Sequence, residues 1–381
     1  MRIAFITPDN RDACRQFTDP RPSFSTGAQG LLDGLALLPE CEVHVVCCVR
    51  QPVALPEKIG QNIFYHAEVV PKWGWIRGAY LRCIHSVHRQ VRRIQPDIVH
   101  GQGTESYAAI SAVFSGFPNV LTIQGNMRLI AKLNNEPMFS YNWLMARLEA
   151  FTLPRTDGVV CITHYTRRAV EQLARRTWVL PHAVDASFFD LRPAPPDGPP
   201  IVLCVGSIDQ RKNQNAFIRA LDPLAAQKKF KVVFLGQASD SAYCAEFFQL
   251  VGERPWCEHV GFSGRERVKE FFKIATLLAL PTREDNCPMV VLEAMAAGVP
   301  VLASEVGGVP DLIQSETTGL FCDPQRPDSF REGVARLLED RELSQRLAIA
   351  ARAAAQTRFD PRAIAIRHLE IYREVLANHR Q

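Results

Sequence analysis

Short apolar runs alternate with segments whose apolar residues recur at every third or fourth position along most of this sequence. The runs at residues 43–49 and 201–205 have the length of buried strands, and the recurring positions are typical of helices packed on a sheet. Alternating strands and helices predict parallel sheets. The proline-rich segment 191–200, which cannot be helical, separates two such series. We therefore predict two α/β domains, residues 1–190 and 191–360.

The most informative stretch is residues 281–300, where an apolar run, a polar loop and a helical stripe follow one another. Cys287 ends the loop, and Pro288 suits the first helical position, which needs no backbone N–H. The amides of Met289 and Val290 would then face the loop without helical partners. Because free amides and the positive end of a helix attract anions, this loop predicts a phosphate site at the end of a strand.

Two carboxylates belong to the same stretch and lie eight positions apart. Asp285 lies in the loop, and Glu293 lies on the helix about one turn in. Carboxylates accept hydrogen bonds from paired hydroxyls, so these two side chains suit a sugar ring and a ribose. An ordinary loop acid and a solvated helix residue explain the same pattern, and the local sequence leaves both interpretations open.

A second loop between a strand and a helix, residues 206–213, carries two adjacent cations. Arg211 and Lys212 suit a diphosphate, because charge-assisted hydrogen bonds to phosphate oxygens are strong. The alternative is that both side chains are merely solvated.

The order of motifs over residues 281–324 resembles the signature of the family-four glycosyltransferases, which are retaining enzymes of the GT-B fold. That signature is a glutamate, seven residues, a second glutamate and then Ala-Met-Ala-x-Gly-x-Pro-Val. Here Asp285 stands at the first acidic position, Glu293 at the second, and residues 294–301 supply the rest. The resemblance continues through Val306-Gly307-Gly308-Val309-Pro310, Thr318-Gly319-Leu320 and Asp323-Pro324.

The resemblance implies two Rossmann-like parallel-sheet domains that face a central cleft. It implies that residues 1–190 form the acceptor side, that residues 191–360 bind the nucleotide sugar, and that a last helix at 361–381 packs back on the first domain. The implied reaction moves a sugar, with retention, from a nucleotide-diphosphate sugar to a glycan, a lipid-linked glycan or a small molecule. We expect no other cofactor and no metal site, since the fold is usually metal-independent and no Asp-x-Asp motif occurs.

The resemblance also implies roles for the second domain. Asp285 is expected to hold the sugar, Glu293 the ribose, and Lys212 the departing diphosphate. Ser207 stands where the family has an arginine, which removes a charge-assisted contact of about 1.5–3 kcal/mol. Arg211 is expected to compensate from a neighbouring position.

Two positions of the first domain are expected to approach the same substrates. Gly27 lies in a predicted loop before a helix, where a missing side chain lets the backbone approach a phosphate; an ordinary loop is the alternative. Gln124 stands where the family has a histidine, and glutamine exchanges hydrogen bonds but does not titrate near neutral pH. His100 is a candidate substitute, although a structural histidine is the more common explanation.

Composition argues against several other classes. Hydrophobic residues make up 47% of the chain, too many for a disordered protein, and the net charge of +4 is too mild to indicate a nucleic acid partner. No apolar run reaches the roughly 18 residues of a membrane-spanning helix, and the N-terminus turns polar too early for a signal peptide. Eleven cysteines without a Cys-x-x-Cys pair indicate buried thiols in a reducing compartment, so we expect a cytoplasmic location.

The most basic segment is residues 72–93, which contains no acid. A basic amphipathic helix that bears tryptophan suits the surface of an anionic membrane, here the inner face. The alternative is that its apolar stripe packs on the sheet and its charges face water. The relevant residues are Lys72, Arg77, Arg82, Arg89, Arg92 and Arg93, with Trp73 and Trp75, and a stripe of Tyr80, Ile84, Val87, Val91 and Ile94.

Three rival functions stay open at this point. A nucleotide-sugar epimerase of the same fold would isomerise the sugar without an acceptor. A catalytically silent relative would bind ligands only, as the departures at Gln124, Ser207 and Asp285 suggest. A nicotinamide oxidoreductase is disfavoured because the chain lacks a Gly-x-Gly-x-x-Gly motif.

Overall fold

The computed structural model describes residues 1–194 and 197–379, without the side chains of Ala13, Arg77 and Leu133. Pro195 and Pro196 of the predicted connector, and the Arg77 side chain of the basic segment, therefore lie outside the described residues. The chain divides into two compact units, Met1–Ala183 with Pro361–Gln381, and Val184–Asp360.

The boundary falls at Ala183, seven residues before the predicted one. The reason is packing: the ring of Phe188 lies edge-on against Phe272, with centroids 5.7 Å apart. Asp185 pairs with Arg265 at 3.1 Å. Both interactions attach this segment to the second unit.

Each unit contains one sheet of parallel strands, apart from the antiparallel edge pair β3–β4 of the first unit. The first sheet has the order β3-β4-β2-β1-β5-β6-β7-β8, and the second has the order β11-β10-β9-β12-β13-β14. The described strands are β1 (Arg2–Ile6), β2 (Glu42–Val49), β3 (Lys58–Gly60), β4 (Ile63–Val69), β5 (Ile98–Gln102), β6 (Asn119–Ile123), β7 (Gly158–Cys161), β8 (Thr177–Val179), β9 (Ile201–Val205), β10 (Lys231–Leu235), β11 (Cys257–Gly261), β12 (Leu277–Leu280), β13 (Val301–Ser304) and β14 (Leu320–Cys322).

Helices connect the strands, and the predicted α/β class with two parallel-sheet domains is confirmed. The described α-helices are α1 (Asn10–Cys14), α2 (Thr26–Ala36), α3 (Leu81–Ile94), α4 (Tyr107–Val113), α5 (Met127–Leu133), α6 (Tyr141–Thr152), α7 (His164–Val170), α8 (Gln214–Ala225), α9 (Ala242–Gly252), α10 (Arg265–Ile274), α11 (Met289–Ala297), α12 (Asp328–Glu339), α13 (Arg341–Arg358) and α14 (Pro361–His379). Short 3₁₀ helices cover Lys72–Gly74, Ile76–Gly78, Leu153–Arg155, Ala186–Phe188 and Val309–Asp311.

Strand order determines where a ligand crevice can open. In the second sheet the order reverses between β9 and β12, which are neighbours although 71 residues lie between them in the chain. Open α/β sheets bind ligands at the carboxyl ends of the strands beside such a reversal. The loops that follow β9 and β12 are residues 206–213 and 281–288, the two loops that the sequence singled out.

Gly27 was predicted in a loop, and this prediction is wrong. Helix α2 begins at Thr26, and the Ser25 hydroxyl caps it by accepting a hydrogen bond from the Ala28 amide at 3.4 Å. Gly27 therefore lies in the first turn of the helix. A serine before a short helical segment is a strong N-cap, and it extends the helix further towards the N-terminus than the apolar stripe indicated.

Two glycines on α2 allow unusually close packing within the first unit. A side chain on Gly30 would lie 2.5 Å from the Ala183 carbonyl oxygen, and one on Gly34 would lie 2.0 Å from the Pro361 carbonyl oxygen. Because both neighbours are backbone atoms, they cannot rotate away. Helix α14 consequently packs directly on α2, where Ala365 and Tyr372 join the core of the first sheet.

Two further expectations concern buried groups. Both ring nitrogens of His100 are occupied, by the Tyr372 hydroxyl at 2.6 Å and the Thr122 hydroxyl at 2.7 Å, and the ring is buried. His100 is therefore a structural residue and does not substitute for Gln124. The apolar stripe of α3 is also largely buried against the first sheet, at Tyr80, Val87, Val91 and Ile94.

No helix among residues 1–194 and 197–379 is long and apolar enough to cross a bilayer.

We predict that Gly34→Ala destabilises the protein by about 1–3 kcal/mol or more, since the new methyl group meets the Pro361 carbonyl. Urea unfolding followed by circular dichroism measures the change. Gly252→Ala is the matched control, because a side chain there meets nothing within 4 Å. Equal stability of the two variants would contradict the packing argument.

Candidate functional site

Backbone and side-chain hydrogen bonds join the two loops at the strand reversal. The Arg283 amide donates to the Arg211 carbonyl at 2.7 Å, and the Arg283 guanidinium donates to the Asn213 side chain at 3.1 Å. The buried Thr282 hydroxyl lies 3.1 Å from the Arg211 carbonyl and 2.9 Å from that of Glu284. Residues some 70 positions apart are thus held within one hydrogen-bond length, so the two loops form a single surface.

The loop after β9 turns tightly because of its glycine and aspartate. Gly206 has a φ of +151°. The Lys212 side chain passes 3.4 Å from the position that a Cβ on Gly206 would occupy. Asp209 accepts hydrogen bonds from the Lys212 amide at 2.9 Å and the Ser207 hydroxyl at 2.5 Å. Ser207 is therefore engaged within its own loop, and Asp209 places a negative charge there that sequence reasoning did not consider.

Lys212 and Asp285 meet each other at the centre of this surface. The lysine ammonium lies 2.5 Å from Asp285 Oδ2, and Arg211 Nη1 lies 3.6 Å from the same oxygen. The Lys212 and Asp285 side chains are only 12% and 14% exposed, whereas Arg211 is half exposed. The sequence assigned these cations to a diphosphate and Asp285 to a sugar, but without a ligand the acid pairs with the cations.

Two glycines position Asp285. Gly307 has a φ of +58°, and any Cβ on it would lie 2.0 Å from the Asp285 carbonyl oxygen. The same carbonyl accepts a hydrogen bond from the Gly308 amide at 2.9 Å. Because only glycine fits at position 307, the Gly-Gly motif has a structural explanation: it holds the backbone of the acid.

Helix α11 begins beside Asp285. Pro288 is the N-cap residue, with an extended ψ of 109°, and Met289 is the first helical residue, so the predicted start was one position early. No side chain caps this end, and no described residue accepts a hydrogen bond from the Met289 or Val290 amide. The preceding residue, Cys287, is buried. This end of the helix therefore retains the free amides that an anion requires.

Glu293 lies on the buried part of α11 and has partners that the sequence did not reveal. Arg265 Nη2 lies 3.5 Å from the Glu293 carboxylate, and Arg265 Nε lies 3.1 Å from Asp185. Burial raises the pKa of Glu293 to about 7, and Arg265 only partly opposes this effect. Glu293 therefore exchanges between a hydrogen-bond acceptor and a donor near neutral pH. Arg265 lies 28 positions from Glu293, and no spacing rule links them.

A cavity of about 320 Å³ opens beside the same loop, at the carboxyl ends of β9, β10 and β11. Its walls are mainly apolar side chains and glycine backbone. Gly206, Ser207, Gly236 and the exposed Phe262 contribute to it. A flat ring with polar edges suits such a space, since backbone groups supply donors and acceptors.

Two predicted residues of the first unit also come together. The Gln124 side-chain amide donates to the Ser25 hydroxyl at 3.1 Å. The position of the absent Cβ of Gly27 lies 2.5 Å from the ring of His182. Gln124 and Gly27 thus both lie at the N-terminal end of α2, and the His182 ring is a neighbour of Gly27.

Among the described residues, no cluster of three or more histidine, cysteine, aspartate or glutamate side chains has a geometry that suits a metal ion.

Family models match most of the chain. The model described as Glycosyltransferase Family 4 matches residues 29–188, and the model described as Glycosyl transferases group 1 matches residues 188–354. This chain belongs to the family-four glycosyltransferases. The resemblance that the motifs of residues 281–324 carried is thereby confirmed.

Individual relatives have low sequence identity to this chain and match only part of it. An uncharacterized glycosyltransferase of Methanocaldococcus jannaschii is 32% identical over 38% of this chain and 37% of its own length. The GDP-mannose-dependent alpha-(1-6)-phosphatidylinositol monomannoside mannosyltransferase of Mycobacterium tuberculosis is 28% identical. The match covers 62% of this chain and 68% of that relative's length. The chain thus spans less than half of the first relative.

Solved structures share the fold over nearly the whole chain. Sucrose-phosphate synthase of Thermosynechococcus elongatus has a TM-score of 0.78 at 20% identity and covers 99% of this chain and 100% of its own. Anabaena HepE in complex with UDP and glucose has a TM-score of 0.72 at 16% identity, with 98% and 100% covered. The predicted GT-B architecture is confirmed by this likeness.

We predict that Asp285→Asn strengthens the binding of inorganic pyrophosphate about tenfold, because it removes the carboxylate that competes for Lys212 and Arg211. Isothermal titration calorimetry measures the affinity. Asp222→Asn is the control, since it removes an acid paired with Arg254 outside the two loops. Unchanged or weaker binding by the Asp285 variant would show that the ion pair does not oppose anion binding.

We also predict that the stability of a Glu293→Gln variant, relative to the parent protein, rises by about 2 kcal/mol between pH 5 and pH 8. A carboxyl with a folded pKa of about 7 and an ordinary value of 4.5 stabilises the fold at low pH and loses that contribution as pH rises through 7. Urea unfolding at both pH values measures this difference. Glu316→Gln is the control, because Arg336 lowers the pKa of Glu316 and its charge is constant in this range.

Proposed function

We propose that this protein transfers a glycosyl unit, with retention, from a nucleoside-diphosphate sugar to an acceptor hydroxyl. One observation carries the proposal. At the strand reversal of the second unit, Lys212 and Arg211 surround a carboxylate, that of Asp285, four residues before the free amides of α11. A site that already holds one anionic group is suited to exchange it for a diphosphate.

The diphosphate interacts with five groups in this proposal. Lys212 and Arg211 leave Asp285 and bind phosphate oxygens, and the amides of Met289 and Val290 donate to them from the end of α11. Cys287 and Pro288 shape the turn that presents those amides. Ser207 contributes a neutral contact where the family has an arginine.

The rest of the donor is assigned to the remaining groups. Asp285, once released, accepts hydrogen bonds from sugar hydroxyls, and Glu293 binds the ribose. The base occupies the cavity bordered by Gly206, Gly236 and Phe262. Anabaena HepE has been solved with UDP and glucose, and the mycobacterial relative is named for GDP-mannose. Both names support a nucleotide-sugar donor and leave uridine and guanosine as candidate nucleosides.

Catalysis in this scheme is stabilisation of the leaving group. The bond between the anomeric carbon and the phosphate oxygen breaks, and its electron pair leaves with the nucleoside diphosphate. A new bond forms from the anomeric carbon to the acceptor oxygen, and the acceptor proton departs with the diphosphate. Fixed positive groups at the diphosphate lower the barrier, because negative charge accumulates there in the transition state. We propose that these groups suffice without a metal ion.

We propose that residues of the first unit bind the acceptor and the sugar. Gln124 supplies a hydrogen bond in place of the family histidine, without taking up a proton at neutral pH. Gly27 approaches the ligand through its backbone in the first turn of α2, since the His182 ring already occupies the space beside its absent Cβ. The acceptor is a glycan, a lipid-linked glycan or a small molecule, and the phosphatidylinositol-based acceptor in the name of one relative supports the lipid-linked class.

We predict that Lys212→Gln reduces donor turnover about 100-fold or more, since it removes the buried cation at the leaving group. Purified protein is incubated with labelled UDP- and GDP-sugars, and release of the nucleoside diphosphate is measured with and without a chelator. Lys228→Gln, which changes a lysine paired with Glu339 at the surface of the same unit, is expected to retain full activity. Equal rates for both variants would contradict the role of Lys212.

A second candidate is a ligand-binding relative without turnover. The direct Lys212–Asp285 pair and the departures at Ser207 and Gln124 favour it. Calorimetry that detects donor binding, while no donor releases its diphosphate, would support this alternative over the transferase.

A further inference from the structure

Four large apolar side chains of the first unit are strongly exposed in two neighbouring segments. Trp73, in the 3₁₀ helix Lys72–Gly74 before α3, and Leu81, the first residue of α3, are 56% and 68% exposed. Met138 and Phe139, in the turn before α6, are 67% and 73% exposed. Isolated exposed apolar residues are common, but a set of this size on one part of a surface marks an interaction site.

The two segments are connected through a pair of tyrosines. Tyr80 precedes α3 and Tyr141 begins α6, and the Tyr80 hydroxyl lies 3.9 Å from the sulfur of Met145 on α6. The Tyr141 hydroxyl also donates to the Glu105 carbonyl at 2.6 Å. The exposed side chains on either side of this pair therefore belong to one surface of the first unit. We call the surface formed by Trp73, Leu81, Met138 and Phe139 the apolar rim.

The apolar rim is not a by-product of core packing. The apolar stripe of α3 is already buried against the sheet, so the rim residues lie outside it. Phe139 has a φ of +66°, a conformation that is unfavourable for a bulky residue. An exposed ring on an unfavourable backbone conformation does not stabilise the isolated fold. We therefore infer that Phe139 contacts another molecule or surface.

Positive charge predominates on the α3 side of the rim, whereas the side with Met138 and Phe139 also carries the acid Glu136, which accepts a hydrogen bond from the Ser140 hydroxyl at 2.9 Å. The exposed face of α3 carries cations at helical spacing and no acid, and Arg82 stacks on Trp73 at 3.5 Å from the ring centre. One acid, Glu68, lies beside this face and pairs with Arg89 at 2.6 Å. On the other side, Arg147 stacks on Trp143, which contacts Phe139. The exposed cations of the α3 side are Lys72, Arg82, Arg89, Arg92 and Arg93.

A depression of about 390 Å³ lies next to Trp73 in this surface. Val69 and Pro71 form its apolar wall, and Arg82 and His85 supply polar groups at its edge. A phosphate headgroup with the upper part of an acyl chain matches this combination of a cation and apolar wall.

We propose that the apolar rim and the basic face of α3 bind an anionic phospholipid bilayer. The rim aromatic residues enter the interfacial region, where tryptophan and other aromatic rings are favoured, and the arginines contact the headgroups. The sequence left two interpretations of residues 72–93 open, an amphipathic membrane helix and a helix whose apolar stripe packs on the sheet, and the stripe is buried against the sheet. Contact is therefore made through the basic face and the rim, which includes residues 138 and 139 outside the predicted segment.

A protein partner is the other class of occupant for such a surface. It is disfavoured because the α3 side carries five exposed cations and a single paired acid, Glu68. Such an excess of positive charge beside exposed aromatic residues matches a uniformly anionic layer better than a mixed protein surface. The proposal does not depend on the proposed function, since vesicle binding is measured without a donor or an acceptor.

The test is sedimentation of the full chain with vesicles of phosphatidylcholine, with and without 30% phosphatidylserine by mole. We expect binding at least tenfold tighter to the anionic vesicles, and weaker binding at high salt. Trp73→Ser combined with Phe139→Ser, and Arg82→Glu combined with Arg92→Glu, should each weaken binding about tenfold or more. Thermal unfolding verifies that each variant is folded.

Matched controls come from the second unit. Ile349→Ser removes a side chain that is 71% exposed on α13, and Arg331→Glu reverses a charge on α12. Both should bind vesicles like the parent protein. The proposal is overturned if the parent protein binds neutral and anionic vesicles equally or binds neither. It is also overturned if the rim variants abolish a dimer detected by sedimentation velocity while vesicle binding is absent.

Discussion

The hydrogen bond from the Arg283 amide to the Arg211 carbonyl is the contact on which the candidate site depends. It joins two loops that are adjacent only because β9 and β12 are neighbours at the reversal of the second sheet. The Thr282 hydroxyl lies within hydrogen-bond distance of the Arg211 and Glu284 carbonyls, and Arg211 also donates to the Glu284 carbonyl, so the loops resist separate movement. Every charged group proposed to bind the donor diphosphate is attached to this joined surface.

The electrostatics of the site are balanced in the absence of a ligand. Lys212 and Asp285 are both largely buried, and each reduces the cost of burying the other. Glu293 lacks so close a partner, and its raised pKa reflects that burial. A diphosphate and a ribose would supply partners for the lysine, the free helix amides and Glu293 together. Ligand binding in this arrangement is an exchange of partners, so affinity depends on the difference between the two sets of contacts.

The first unit is organised by close backbone packing. The glycines of α2 bring that helix against the 182–183 segment and against the start of α14. Helix α14 then covers His100 and contributes Tyr372 to the core. The end of the chain is thereby part of the first unit, while the residues before it belong to the second. The apolar rim lies on the surface of the same unit. Its residues are exposed and are not part of the core of that unit.

The sequence by itself determined the α/β class, the two loops, the start of α11 to within one residue, and the family. These follow from short-range causes, namely apolar periodicity, proline and glycine backbone preferences, and motifs with fixed spacing. Only the tertiary structure decided that Asp285 pairs with Lys212, that Arg265 faces Glu293, that Gly27 lies inside a helix, and that Phe139 is exposed. Such contacts link residues 28 to 73 positions apart, or depend on which neighbour fills a space. The order of strands in the sheet sets those neighbours, and no local pattern in the chain encodes them.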